Sequence, residues 1–259
     1  MSEQSILCQK EEGYWTLVLN RPDKLNSFDD EMGSRFLNLL TEASQDTTVR
    51  AVLITGEGKG FCAGQDLAEV TSGDFDIGGV VRERYNQIIS LIRNMPKPVV
   101  CAVNGVAAGA GANLAFACDI VLAAETVSFI QSFSAIGLIP DSGGTYMLPR
   151  LVGLQRASAL ALLGEKLPAR EAQEMGLVYK LFPGSELREQ ATQLTSHLAS
   201  QPTKGFALTK QALNASFGNS LREQLELGEK LQAEAGNSAD FREGVAAFLE
   251  KRKPVFQGR

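Results

Sequence analysis

Two glycine-rich turns constrain this chain more than any other feature. Ala63-Gly64-Gln65-Asp66-Leu67 comes after the apolar run Ala51-Val52-Leu53-Ile54-Thr55, and Gly105-Val106-Ala107-Ala108-Gly109-Ala110-Gly111 comes after Pro98-Val99-Val100-Cys101-Ala102-Val103. Both runs are strand-like. Glycine supplies φ values that other residues resist, and it places no Cβ in the way of an approaching carbonyl. Two such turns are suited to aiming bare backbone N–H groups at one oxygen, which is how an oxyanion is stabilised.

Composition narrows the class. A chain of 259 residues, 44% hydrophobic, can bury a substantial core in one large domain or a domain with an appendage. No apolar stretch is long enough to span a bilayer, and the N-terminus lacks the pattern of a signal peptide, so a cytoplasmic protein without a membrane partner is expected. Cys8, Cys62, Cys101 and Cys118 show no CxxC spacing and the one histidine, His197, is remote, so neither a zinc site nor a disulfide framework is suggested. A formal charge of −5 argues against a nucleic-acid partner. It leaves room for a polyanion held locally by Arg21, Lys24, Lys59 or the Lys251-Arg252-Lys253 cluster, although each also reads as ordinary surface charge.

Strand and helix signals alternate through most of the chain. Tyr14–Leu19 reads as a strand, and Ser27 with Asp30 three residues on reads as a capping box opening a helix with Met32, Phe36, Leu39 and Ala43 on one face. The polar, glycine-rich stretch 71–79 reads as a loop, either a lid over a site or plain surface. Tyr85, Ile88, Ile89 and Ile92 mark a further amphipathic helix, stopped by Pro96 and Pro98. Asn113–Cys118 reads as helix and Ile120–Ala123 as strand. From about Ser185 the pattern is almost purely helical, with a Ser220/Glu223 capping box and a final stripe of Phe241, Val245, Phe248 and Leu249. This gives a core over residues 1–195 and a helical region over 196–259, with no internal repeat of sequence.

Three strings carry a family resemblance: Gly60-Phe61-Cys62-Ala63-Gly64-Gln65-Asp66-Leu67, Asn104-Gly105-Val106-Ala107-Ala108-Gly109-Ala110-Gly111, and Gly137-Leu138-Ile139-Pro140-Asp141-Ser142-Gly143-Gly144-Thr145. In that order and spacing, with Arg21-Pro22 before Asn26 and Glu250-Lys251-Arg252 near the end, the chain resembles the crotonase, or enoyl-CoA hydratase/isomerase, superfamily. The resemblance implies an α/β fold, a spiral of repeated ββα units, with a helical C-terminal trimerisation region and assembly as a homotrimer or homohexamer. It implies an acyl-CoA substrate and no separate cofactor, coenzyme A being part of the substrate. By motif position it assigns the oxyanion hole to the backbone amides of Gln65 and Ala110. It also places Ala63, Asp66, Leu67, Gly109, Asn113 and Phe133 around the substrate, with CoA gripped partly by backbone around Lys24, Leu25 and Asn26.

The acid decides the reaction. Hydratases of the superfamily use two glutamates, and the corresponding positions here are Asn113 and Phe133, neither of which can serve as a general base. Asp141 remains, where several isomerases of the superfamily carry a catalytic aspartate, and burial in an apolar pocket would raise its pKa into a useful range. The same Pro-Asp-Ser-Gly turn is equally a place for an aspartate that caps the next helix. Together these strings resemble the branch that isomerises a ring epoxide of phenylacetyl-CoA to oxepin-CoA and shifts a 3,4 double bond to the 2,3 position. A hydratase with an atypical acid and a non-catalytic acyl-CoA- or RNA-binding member of the fold remain as alternatives.

Overall fold

Short-range sequence signals such as these do not show how the chain winds; a computed structural model, describing residues 4–70 and 76–259, does. The chain opens with the hairpin β1 (Ile6–Glu11) and β2 (Tyr14–Leu19), then α1 (Asp30–Gln45). β3 (Ala51–Gly56) and the short β4 (Gly60–Cys62) lead to α2 (Leu67–Val70), α3 (Ile77–Val80), a π-helical turn Val81–Tyr85 and α4 (Asn86–Asn94). β5 (Val99–Val103), β6 (Val106–Ala108) and α5 (Ala110–Ala117) follow, then β7 (Ile120–Ala124), β8 (Ser128–Ile130) and a 3₁₀ turn Ser132–Ile136. Thus a long strand, a short strand and a helical segment recur three times. The long strands build a six-stranded sheet in the order β1-β2-β3-β5-β7-β10, and the short ones a four-stranded sheet β4-β6-β8-β9. This is the spiral of ββα units that the resemblance implied. It has no counterpart in sequence self-similarity because each turn of the spiral packs against different neighbours.

The remaining elements are α6 (Gly144–Val152), α7 (Leu154–Leu163), β9 (Lys166–Pro168), α8 (Ala169–Glu174), β10 (Lys180–Phe182), α9 (Gly184–Ala199), α10 (Thr203–Ala215), α11 (Leu221–Gly236) and α12 (Ala239–Glu250). β3, β5 and β7 are parallel neighbours and almost wholly buried, which is why they read as unbroken apolar runs. One face of the large sheet takes α9 through Leu187 and Ala191. The boundary at 195/196 falls inside α9, so α10–α12 form the helical region beyond the core.

Three local expectations change. The first helix starts at Asp30 with Asp29, not Ser27, as its cap, the Asp29 carboxylate accepting the Met32 amide at 2.9 Å. The chain stays extended through Phe28 because that residue bridges to Gln65. β4 stands between the Ala51–Thr55 run and the first glycine turn, and β6 occupies the middle of the second glycine segment; both are three-residue strands, too short to show a period. Of the 71–79 loop, residues 71–75 lie outside the described residues, and Ile77 onward is helical.

Candidate active site

β4 and β6 run parallel side by side, so the turns leaving their C-terminal ends emerge together. Gly64 sits at φ +92°, and a Cβ there would lie 3.0 Å from the Ala108 carbonyl oxygen and 3.4 Å from the Ala110 nitrogen. The two turns therefore touch backbone to backbone, which only glycine permits. Phe28 donates its amide to the Gly64 carbonyl at 2.7 Å and accepts the Asp66 amide at 2.8 Å. That parallel bridge uses the groups on either side of Gln65 and turns the Gln65 amide to the opposite side. Ala110 is the first residue of α5, where helical geometry leaves amides without a partner in the helix. Gly109 makes the turn into it at φ +53° and ψ −124°. Among the described residues neither amide donates to a backbone acceptor.

Asn113 connects α5 to the acidic turn. Its side-chain amide donates to the Asp141 carbonyl at 2.9 Å, and its oxygen accepts from Gln131 Nε2 at 2.9 Å. Asn113 and Gln131 are both buried, and Gln131 Oε1 has no partner. Ser142, also buried, is held at φ +49°, a left-handed conformation unfavourable for a residue with a Cβ. The Asn113 and Gly144 hydrogen bonds to the Asp141 carbonyl hold the chain in that turn. Burial pushes the Asp141 carboxyl above the ordinary carboxylate range, a shift only partly opposed by the Ser142 hydroxyl donating to it at 2.8 Å. The helix-cap alternative is not what this side chain does: Gly143 is the cap of α6, and no side chain bonds to that end.

The other sequence-derived residues divide. Phe133 is buried with its ring edge 3.6 Å from where a Gly109 Cβ would stand, so it walls the second turn. Ala63 is half-buried and Leu67 is exposed on α2. Asp66 is tied into the scaffold: it bonds the Ala68 amide at 3.1 Å and pairs with Arg21 at 3.0 Å. Burial works to raise its pKa, and those two partners outweigh it and lower it. Asn26 is fully buried, donating to the Glu57 and Gly60 carbonyls and accepting the Arg21 amide. The amides of Lys24, Leu25 and Asn26 all donate within their own turn. What that segment turns outward is therefore the exposed Lys24 side chain and Leu25. Cys62 lies beneath the first turn with its thiol pushed up to about 12 by burial, which makes it inert as a nucleophile. Asp119, Arg93 and Lys210 form an ion-pair cluster before β7. They adjoin a cavity of about 1210 Å³ at the strands' opposite ends, which holds Arg50, Lys97 and Lys210 but neither glycine turn nor Asp141.

Sequence reasoning missed Arg84 and Tyr85. Both are buried, and the π turn, with one residue more than an α turn, brings successive side chains inward together. Tyr85 Oη donates to Gln65 Oε1 at 2.8 Å. Tyr85 read simply as part of an apolar stripe. The available signal was Gln65 itself, a polar side chain that needs partners where the fold half-buries it.

The chain belongs to the enoyl-CoA hydratase/isomerase family, whose model matches residues 9–259. It is 50% identical to the 1,2-epoxyphenylacetyl-CoA isomerase of Escherichia coli K12, with 98% of each chain covered, and 35% identical to the 2,3-dehydroadipyl-CoA hydratase of the same organism, with all of each chain covered. The crystal structure of an enoyl-CoA hydratase from Bacillus anthracis superposes with a TM-score of 0.92 at 32% identity, covering 99% of this chain and 100% of that one. Both reaction types thus occur among relatives that share the whole fold.

Proposed function

We propose that this protein is an isomerase of acyl-CoA thioesters working through a thioester enolate, with Asp141 as acid and base and the amides of Gln65 and Ala110 as oxyanion hole. The observation that carries the reading is the Asp141 turn: a carboxyl with raised pKa, tied through Asn113 to the helix that begins at Ala110. In this mechanism Asp141 takes a proton from C2 of a 3-enoyl-CoA. The C–H electron pair enters the enolate, whose negative charge rests on the thioester oxygen between the two amides. Asp141 then returns the proton to C4, leaving the double bond between C2 and C3. Atoms and electrons balance within the substrate, so the step needs no cofactor and no water. Losing one oxyanion donor typically costs about 2.7–4 kcal/mol of transition-state stabilisation.

The preferred substrate in this reading is the ring-1,2-epoxide of phenylacetyl-CoA, converted to oxepin-CoA, with 3-enoyl-CoA isomerisation as a second activity. The 50% identity to an isomerase named for that epoxide supports it, as do Asn113 and Phe133 at the two positions where glutamates would stand. Assembly as a homotrimer or homohexamer in the cytoplasm completes the proposal; the exposed apolar side chains of α10–α12 support assembly, and no helix among the described residues is long and apolar enough to cross a membrane. The test is conversion of a 3-enoyl-CoA to its conjugated isomer by ultraviolet absorbance, with products identified by mass spectrometry. Isomer of unchanged mass is expected; a hydroxyacyl product one water heavier would overturn the reading in favour of a hydratase.

A further inference from the structure

We infer that Arg84 and Tyr85 clamp the side chain of Gln65 and so hold its backbone amide on the thioester oxygen, making both positioning residues of the oxyanion hole. The inference rests on the oxyanion-hole reading above. An oxyanion donor supplied by backbone needs no particular side chain, yet both polar atoms of the Gln65 side chain are engaged. Its Oε1 accepts from Tyr85 Oη at 2.8 Å and from Arg84 Nη1 at 3.2 Å, and its Nε2 donates to Glu69 Oε2 at 2.7 Å. Such a set fixes the side chain in one rotamer and orientation.

The clamp is itself anchored. Arg84 bonds Asp30 Oδ1 at 2.9 Å and Glu69 Oε2 at 3.4 Å. Its aliphatic stem lies over Gly33 of α1, where an added Cβ would stand 2.5 Å from Arg84 Cδ. Glu69 in turn accepts the Asp30 amide at 2.6 Å. Tyr85 packs edge-on against Phe28, ring centres 6.1 Å apart, and Phe28 is the residue whose backbone brackets Gln65. Gln65 is therefore held twice, by backbone through Phe28 and by side chain through the π turn. With both holds in place its amide cannot swing away when the substrate carbonyl loses or gains charge, and preorganisation of this kind is what gives an oxyanion hole its effect.

The experiment compares binding of butyryl-CoA with its thioether analogue S-butyl-CoA, which lacks the carbonyl. Wild type should prefer the thioester. Tyr85→Phe keeps the ring packing and should reduce that preference about threefold or more, and Arg84→Met about tenfold, while thioether affinity stays unchanged. Gln65→Met should reduce it similarly, and adding Tyr85→Phe to Gln65→Met should cost nothing further because the partner is already gone. In turnover the same variants should lower kcat/KM by more than the loss in thioester affinity, kcat falling as well as KM rising. If Arg84→Met fails to fold, the size-conserving Tyr85→Phe and Gln65→Met decide the question. Folded variants that keep the wild-type preference would overturn the clamp alone, whereas a wild type with no preference would overturn the oxyanion-hole reading and the clamp with it.

Discussion

The central elements that carry the candidate site and the segment from α10 to α12 are both rich in apolar residues, but they dispose of them in opposite ways. In the first, β3, β5, β7 and α5 bury nearly every side chain inside the protomer, and polar groups such as Asn113 and Arg84 are buried with partners. In the second, Leu213, Phe217, Leu221, Leu225, Phe241 and Phe248 stand in solvent, Phe248 at 83% exposure. Exposed apolar side chains in such number mark an interaction surface. The turns of the candidate site are thus held by contacts within the chain, and the tail has an apolar face that this chain does not cover.

The sharpest way to break this comparison is to attack the candidate site. Asp141→Asn should lower isomerase turnover by roughly 10²–10⁴-fold, the usual range for a general acid–base group, in a protein that still assembles. Unchanged turnover would remove Asp141 from the mechanism. Gly64→Ala puts a Cβ 3.0 Å from the Ala108 carbonyl at a φ of +92°. It should cost about 10²–10³-fold in kcat by spreading the two oxyanion turns, at a stability loss visible in thermal unfolding.

The tail should respond differently. Phe248→Asp adds charge to the exposed stripe, and light scattering after gel filtration should find fewer chains per particle while circular dichroism of the core is kept. Assembly unaffected by that change would place the interface elsewhere. A smaller effect is expected for Asn113→Leu, which strips one bond from the Asp141 carbonyl and the partner from Gln131. A loss of about 1–3 kcal/mol in denaturant unfolding is expected, with turnover falling alongside it.

The smallest effect has a definite sign. Because burial raises the Asp141 pKa, the folded protein holds that proton more tightly than the unfolded chain, so Asp141 weakens stability as pH rises through and above the ordinary carboxylate range. Asp141→Asn should accordingly melt slightly higher than wild type at neutral pH, the difference shrinking as pH falls below that range. The acidic limb of the activity profile should lie above the ordinary carboxylate pKa, since the base must be ionised to act.

Much of this is legible in the sequence. Unbroken apolar runs announced the central strands, the Ser220/Glu223 capping box announced α11, and both halves of that box are present. The glycines at 64 and 109 marked the turns because both take a positive φ that a Cβ disfavours, Gly64 with another backbone against it and Gly109 with the Phe133 ring beside it. The start of α1 was misread because a capping pattern is local, whereas the bridge from Phe28 to Gln65 crosses 37 residues of sequence. Asp66 and Asn26, named for the substrate, have their side chains engaged in the scaffold by partners far along the chain, Arg21 for one and the Gly60 carbonyl for the other.

Sequence by itself determined which backbone can approach backbone, which runs must be buried, and that a carboxylate stands in the Pro140-Asp141-Ser142-Gly143 turn. These are properties of single residues and of short-range pattern. Tertiary structure decided what each polar side chain pairs with: Asn113 with the Asp141 carbonyl, Gln65 with Arg84 and Tyr85, Arg84 with Asp30. A buried polar group takes whatever partner the fold brings near, and the π turn that brings Arg84 and Tyr85 inward leaves no local pattern to read.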